Sequence, residues 1–294
     1  MKRAHFLVAA VAGVAVAGVV YGMLALQAPA ADHPFFAAER LGVQVIAHRG
    51  GAALRPENTL EAFEHAARMG ADALEMDVRA TSDGAIVVLH DATVDRTTDG
   101  TGRIEQLTFE ALQALDAGYR WSSDGGRSFP FRGKGVRVPK LEDVFRRLPA
   151  ARMVVEMKQL GADFAAGLCA LVRRAAMSQK VLVASVDHGT LGAFRDACPE
   201  VATSMSAREA RFFIGVWSSY PTAALALQIP LRVRERTIAG PDLLEAARRR
   251  NLKVHVWTIN NEERMRQLIG MGVDGIITDR PDRLRALRDG PRER

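Results

Sequence analysis

His48 and His90 each stand where an apolar run of strand length gives out, after Ala47 and after Leu89. Imidazole ordinarily titrates near neutrality, so two of them can serve as general acid and general base. Between them Glu75 and Asp77 lie two apart in the stretch Ala73 to Arg79, which reads as a strand. That spacing puts both carboxylates on one face, with Leu74, Met76 and Val78 on the other. Glu156 and Lys158 repeat the pattern in the stretch Arg152 to Lys158. A single acid at a strand end would more simply pair with an arginine. Three on inward faces form an oxygen donor set suited to a hard divalent cation. Arg49 and Lys158 are cations of the kind that hold a phosphate. Trp257 is open between a core role and a substrate contact. His65, His188 and His255 have no comparable setting and read as structural. An acid–base pair beside a carboxylate metal site is the equipment for cleaving a phosphate ester.

Several elements must position these groups. Val43 to Ala47 reads as a strand that ends in His48-Arg49-Gly50-Gly51, where glycine permits a sharp turn and close backbone approach to a ligand. A helix follows from Asn58, a good N-cap, with Glu61 placed to complete a capping box and Gly70 to end it. Ser82-Asp83-Gly84 is a tight-turn signal, and Ala85 to Leu89 returns as a strand carrying His90. Residues 92–138 change texture and are long for a loop, so they read as an inserted subdomain. Strand and helix patterns then alternate to Leu287, weakest over 200–240, where short strand candidates are Ala202 to Met205 and Ala224 to Ile229. AARMGADALEMD and LIGMGVDGIITD echo one another as helix, glycine, strand and acid. About eight such βα units with right-handed crossovers predict an α/β fold closed as a (β/α)8 TIM barrel. An open doubly wound sheet is the alternative; no G-x-G-x-x-G follows the first strand to support a dinucleotide site.

The 294 residues are 48% hydrophobic and 25% charged, a globular composition that excludes a fibrous or disordered chain. The net charge of +6 comes without a basic patch interleaved with aromatics, which speaks against a nucleic-acid partner. Cys169 and Cys198 form no C-x-x-C pair, so zinc is not indicated. Cys169 sits in an apolar run and reads as a small core residue; in an extracytoplasmic domain it could instead pair with Cys198, the less favoured alternative. Residues 1–31 read as a targeting segment: Lys2 and Arg3, then an uncharged apolar run from Phe6 to Leu26. This predicts an inner-membrane anchor with the remainder in the periplasm. Ala28-Pro29-Ala30 offers the alternative of cleavage and release. Asp32 to Leu41 reads as a linker.

The ordered series HRGG, PENTLEAF, GADALEMDVRATSDGAIVVLHDATVDRTTDGTG, VPKLEDVF, VVEMK, VHVWTIN and DGIITDRP resembles the glycerophosphodiester phosphodiesterase family, across residues 43–285. The resemblance implies a phospholipase-C-like TIM barrel over 43–288, with the inserted subdomain at 92–138. It implies metal-dependent hydrolysis of a small glycerophosphodiester to sn-glycerol 3-phosphate and an alcohol. His48 and His90 would be the acid–base pair. Glu75, Asp77 and Glu156 would hold Mg²⁺ or Ca²⁺, and Arg49 and Lys158 the phosphate. The implied mechanism has a neighbouring glycerol hydroxyl attack phosphorus, after which water opens the cyclic phosphate. Lys140 replaces the capping Thr or Ser usual in the family, and 200–240 matches poorly, which leaves the alcohol open. A lysophospholipase D acting on membrane lysophospholipids and a non-catalytic phosphate-binding barrel are the competing readings.

Overall fold

The structure, a computed structural model, describes residues 29–37, 42–215 and 220–290. The strands are β1 (Gln44–Ala47), β2 (Ala73–Ala80), β3 (Ile86–Val88), β4 (Met153–Met157), β5 (Val181–Ala184), β6 (Ala202–Thr203), β7 (Ala226–Pro230), β8 (Arg232–Val233), β9 (Arg236–Thr237), β10 (Lys253–Trp257) and β11 (Gly275–Thr278). The helices are α1 (Leu60–Arg68), α2 (Phe109–Gln113), α3 (Leu141–Arg147), α4 (Ala162–Arg174), α5 (His188–Ala197), α6 (Ala207–Gly215), α7 (Pro241–Arg249), α8 (Glu262–Met271) and α9 (Pro281–Asp289).

Eight strands run parallel in the order β6-β5-β4-β2-β1-β11-β10-β7. The seam between β6 and β7 closes through a parallel bridge, Ser204 to Ala226. There Leu225 N donates to Thr203 O at 2.8 Å and Met205 N to Ala226 O at 2.8 Å. The sheet is therefore a barrel and not an open doubly wound layer. The alternation of the strands explains its two cores. Leu74, Met76, Val78, Met153, Val155 and Met157 face outward and pack on helices with Phe63, Val144 and Leu168. Ile46, Val154, Leu182, Ala226 and Ile277 fill the lower interior.

Phe35 belongs to that interior cluster and is fully buried. The segment expected to be a linker is thus partly structural: Phe35 plugs the barrel's N-terminal end, and Arg152 donates to its carbonyl at 3.0 Å. The expected cap of α1 shifts by one residue. Thr59, not Asn58, accepts from Ala62 N. At Lys140 no side chain caps α3, as its identity foretold.

Residues 89–138 carry a small core of their own in which Leu89, Val94, Ile104, Leu112, Ala117 and Val138 surround Val87 of β3. The β8–β9 hairpin directly follows β7 and has no counterpart among the expected elements. Cys169 of α4 and Cys198, the C-cap of α5, are joined as a disulfide with Cα atoms 5.7 Å apart. The sequence left this pairing open as the less favoured alternative. The neighbouring helices pack in a register that brings the two thiols together, and helix register cannot be read from spacing. The predicted anchor falls largely within residues 1–28, outside the described residues. Among the described residues no helix is long and apolar enough to cross a membrane.

Candidate active site

Asp77 and Glu156 are direct register partners on the adjacent strands β2 and β4, and Glu75 lies one inward step before Asp77. Ligand oxygens of the three carboxylates all lie within 4.8 Å of one another. Glu75 and Asp77 are buried and Glu156 is half-buried. Burial, with the Asp77 and Glu156 charges behind it, pushes the Glu75 carboxyl up to about 8. The His48 ring and Arg49 N, donating at 2.7 Å, work against that, as do the Arg49 and Lys158 charges. Asp77 is better compensated: Asn58 Nδ2 donates at 2.9 Å, with Arg49 Nε at 3.2 Å and Lys158 Nζ at 3.3 Å. A crowded, oxygen-only, under-compensated carboxylate set fits a hard divalent cation and has no soft ligand for zinc or copper.

His48 opens the turn after β1. Arg49 takes φ +51°, and Gly50 and Gly51 take φ +81° and +90°. A Cβ at Gly50 would lie 2.7 Å from the Ala62 Cβ, so glycine is required there. The turn lays the Arg49 amide on Glu75 and presents the His48 ring beside it. His48 Nδ1 is 2.6 Å from Asp279 Oδ1, just past β11. Asn260 fixes Asp279 from the other side, donating Nδ2 to Oδ2 at 2.6 Å and accepting from Asp279 N at 2.9 Å. Burial opposes a charged His48, but Glu75 and Asp279 outweigh it, so the ring's pKa is raised above 6.5. Burial opposes ionised Asp279 too, yet the His48 contact holds its carboxyl below the usual range.

His90 reaches the same end of the barrel through β3. Leu89 N donates to Asp77 O at 2.9 Å, and Arg79 Nε to His90 O at 2.9 Å. His90 Nδ1 lies 2.7 Å from Asp91 Oδ1. Against burial, Arg96 and His90 pull the Asp91 carboxyl down to about 2. Each imidazole thus commits Nδ1 to a carboxylate and leaves Nε2 for proton transfer.

The cations are shared among the acids. Lys158 Nζ is 2.7 Å from Glu156, and Arg49 Nη1 is 2.8 Å from Glu57. Burial disfavours charged Lys158, but Asp77 and Glu156 outweigh it and its pKa is raised. Arg96 takes both oxygens of Glu57, at 2.7 and 2.8 Å, and Asp91 at 2.6 Å. A continuous ion-pair chain, Asp91–Arg96–Glu57–Arg49–Asp77, therefore ties the His90 loop to the carboxylate strand.

The structure brings His48, Arg49, Glu75, Asp77, Glu156 and Lys158 into one linked cluster and sets His90 beside Asp77. Trp257 is not core: it ends β10 exposed on the rim. His188 bonds Ser206, and His255 is fully buried, its pKa pushed down to about 3 by burial. Sequence reasoning missed Asn58, Glu57, Asp91, Arg96 and Asp279. Asp91 and Glu57 had a local signal, adjacent to His90 and inside PENTLEAF. Asp279 had only the acid in DGIITDRP.

The sequence model of the Glycerophosphoryl diester phosphodiesterase family matches residues 48–283. A glycerophosphodiester phosphodiesterase from Caldanaerobacter subterraneus subsp. tengcongensis is 33% identical over 245 residues, which span 82% of this chain and 95% of that one. The crystal structure of a glycerophosphodiester phosphodiesterase from Agrobacterium tumefaciens C58 aligns with a TM-score of 0.68 at 29% identity, covering 83% of this chain and 99% of that one. A phosphodiesterase from Oleispira antarctica, solved with its product sn-glycerol-3-phosphate, aligns with a TM-score of 0.69 over 84% of this chain and 96% of that one. At 24% identity it bears on the fold alone.

Proposed function

The chain belongs to the glycerophosphoryl diester phosphodiesterase family and is a phosphoric diester hydrolase; from that premise we propose that it cleaves glycerophosphodiesters to sn-glycerol 3-phosphate and an alcohol, using His48, His90 and a divalent cation. The observation that carries this reading is the cluster of Glu75, Asp77 and Glu156 beside two carboxylate-oriented imidazoles. These three carboxylates would hold the cation, Mg²⁺ or Ca²⁺, which when bound supplies Lewis-acid charge to the phosphoryl oxygens.

The residues of the chain do the rest. Arg49 and Lys158 already stand over the carboxylates and would share their donors with the substrate phosphate. One histidine takes the proton of the glycerol 2-hydroxyl as that oxygen bonds to phosphorus. The other protonates the alcohol oxygen as its P–O bond breaks. Water then adds to the cyclic phosphate with the two roles reversed, so the sum is hydrolysis. Asp279 and Asp91 keep each ring turned with Nε2 inward and stabilise the imidazolium that forms.

We place the enzyme outside the cytoplasm, tethered through residues 1–31. The positive start and apolar run support this, and so does the Cys169–Cys198 disulfide, since such bonds persist in oxidising compartments. Ala30 N bonds to Arg250 O and Phe35 plugs the barrel's N-terminal end, so the chain leaves on the face opposite the histidines. A tether there leaves the mouth open to dissolved substrate. Turnover of glycerophosphocholine by His48→Ala and His90→Ala tests the reading. Each variant is expected to lose about 10²–10⁴-fold in kcat, and full activity in either would contradict it.

A further inference from the structure

The stretch 118–137 of the inserted subdomain, GYRWSSDGGRSFPFRGKGVR, carries five cations, Arg120, Arg127, Arg132, Lys134 and Arg137, against one carboxylate, Asp124. All five are exposed. Among the described residues none of them forms an ion pair, whereas Arg49, Arg96, Arg195 and Arg288 elsewhere each meet a carboxylate. Asp124 is turned into its own loop, where it accepts from Ser122 Oγ, Ser128 Oγ, Arg127 N and Ser128 N. Like charges gathered without counter-charges repel one another, so the patch is unfavourable until an anion meets it.

Three of the arginines spend the same atom on the backbone. Arg120 Nε donates to Thr98 O at 3.0 Å, Arg127 Nε to Asp124 O at 2.9 Å and Arg132 Nε to Tyr119 O at 2.9 Å. Each keeps its Nη1–Nη2 edge for a partner, the fork that grips two oxygens of one phosphate. Arg132 also lies over two rings, Tyr119 at 4.1 Å and Phe129 at 3.9 Å, and Trp121 meets Phe131 edge-on at 5.1 Å. The rings therefore brace the cations and each other. This interleaving of basic and aromatic residues departs from the sequence expectation, because the alternation runs through turns and has no period. Bases stack on open ring faces, and bilayers take up exposed apolar side chains. Here Arg132 covers a face of two rings, and no large apolar side chain of the stretch is exposed.

We propose that this face of the inserted subdomain is a docking surface for a soluble, extended polymer of closely spaced phosphates, each gripped by one arginine fork. The surface is separate from the catalytic centre and does not depend on its chemistry. It stands beside the mouth of the barrel all the same. Trp121 Nε1 donates to Ala52 O at 2.9 Å, in the turn that follows His48, and the Arg55 guanidinium of that turn lies 5.6 Å from the Phe131 ring centre. A bound polymer would thus hold the enzyme with its mouth close to the chain of phosphates.

The test is fluorescence anisotropy of labelled long-chain inorganic polyphosphate with the full chain. We expect saturable binding that weakens by about tenfold or more between about 50 and 200 mM salt. Orthophosphate at the same phosphate concentration should not compete, and saturating glycerol 3-phosphate should not displace the polymer. The triple variant Arg127→Gln, Arg132→Gln, Lys134→Gln should lose about tenfold or more in affinity and keep wild-type turnover of glycerophosphocholine. Arg120→Gln with Arg127→Gln leaves the ring stack in place and should lose severalfold, which keeps the test decisive if the triple variant fails to fold. No binding, or binding that the folded variants leave unchanged, overturns the proposal. Displacement by glycerol 3-phosphate would put the polymer in the catalytic centre and overturn it too. Tighter binding of phosphatidylglycerol vesicles or of single-stranded DNA than of polyphosphate would overturn the choice of partner.

Discussion

His48 Nδ1 and Asp279 Oδ1 meet at 2.6 Å across 231 residues of chain, joining the end of β1 to the end of β11. The contact exists because those two strands are neighbours, and it sets both the tautomer and the charge preference of the ring. Asp279→Asn keeps the shape and removes the charge. We expect kcat for glycerophosphocholine to fall about 10²-fold or more with KM little changed. The Asp279 charge helps raise the His48 pKa. Its loss should therefore move the limb of the pH–rate profile that reports His48 toward acid. A variant with wild-type kcat and an unmoved profile would show that the contact is structural only.

The disulfide makes a second prediction. It closes a segment with a sequence separation of 29 between Cys169 and Cys198. Loop-closure entropy for that size corresponds to about 3–4 kcal/mol. The double variant Cys169→Ala, Cys198→Ala should melt about 10 °C below wild type, and reductant should shift the wild type alone. Two titratable thiols in the denatured, unreduced protein would contradict the pairing.

His255 gives a pH prediction away from the site. Its ring is fully buried near Gln228 and Phe36, and burial lowers its pKa from 6.5 to about 3. Between those values the unfolded chain binds a proton that the folded chain does not, so folding stability rises with pH there. The contribution of neutral His255 is fully present above 6.5 and is lost as pH falls toward 3. From neutrality to about pH 5 it removes about 2 kcal/mol. Urea unfolding of wild type and His255→Gln across that window checks this. The variant should lose less stability on acidification, and parallel curves would contradict the assignment.

The strands and the carboxylate face were legible because a period of two writes itself into Leu74–Glu75–Met76–Asp77 and Val155–Glu156–Met157–Lys158. Barrel strands buried on both sides lose that contrast, and β6 is only two residues long, so 200–240 stayed vague and the β8–β9 hairpin went unseen. Asn58 and Thr59 are both good caps by type. The choice is made by tertiary structure, because Asn58 takes φ +58° and turns its amide onto Asp77. Asp279 and the disulfide depend on which elements become neighbours, and no local pattern carries that. Phe35 looked like linker because a lone apolar residue has no periodicity; only the closed barrel offers it a hole to fill.

The central claim is that Glu75, Asp77 and Glu156 hold a divalent cation on which turnover depends. The direct measurement is release of glycerol 3-phosphate from glycerophosphocholine by chelator-stripped protein titrated with Mg²⁺ or Ca²⁺, wild type beside Glu156→Gln. The account predicts no turnover in the stripped protein, saturable recovery with cation, and about tenfold or more additional cation for half-recovery in the variant. Full turnover after stripping, or the same cation requirement in Glu156→Gln, would contradict it.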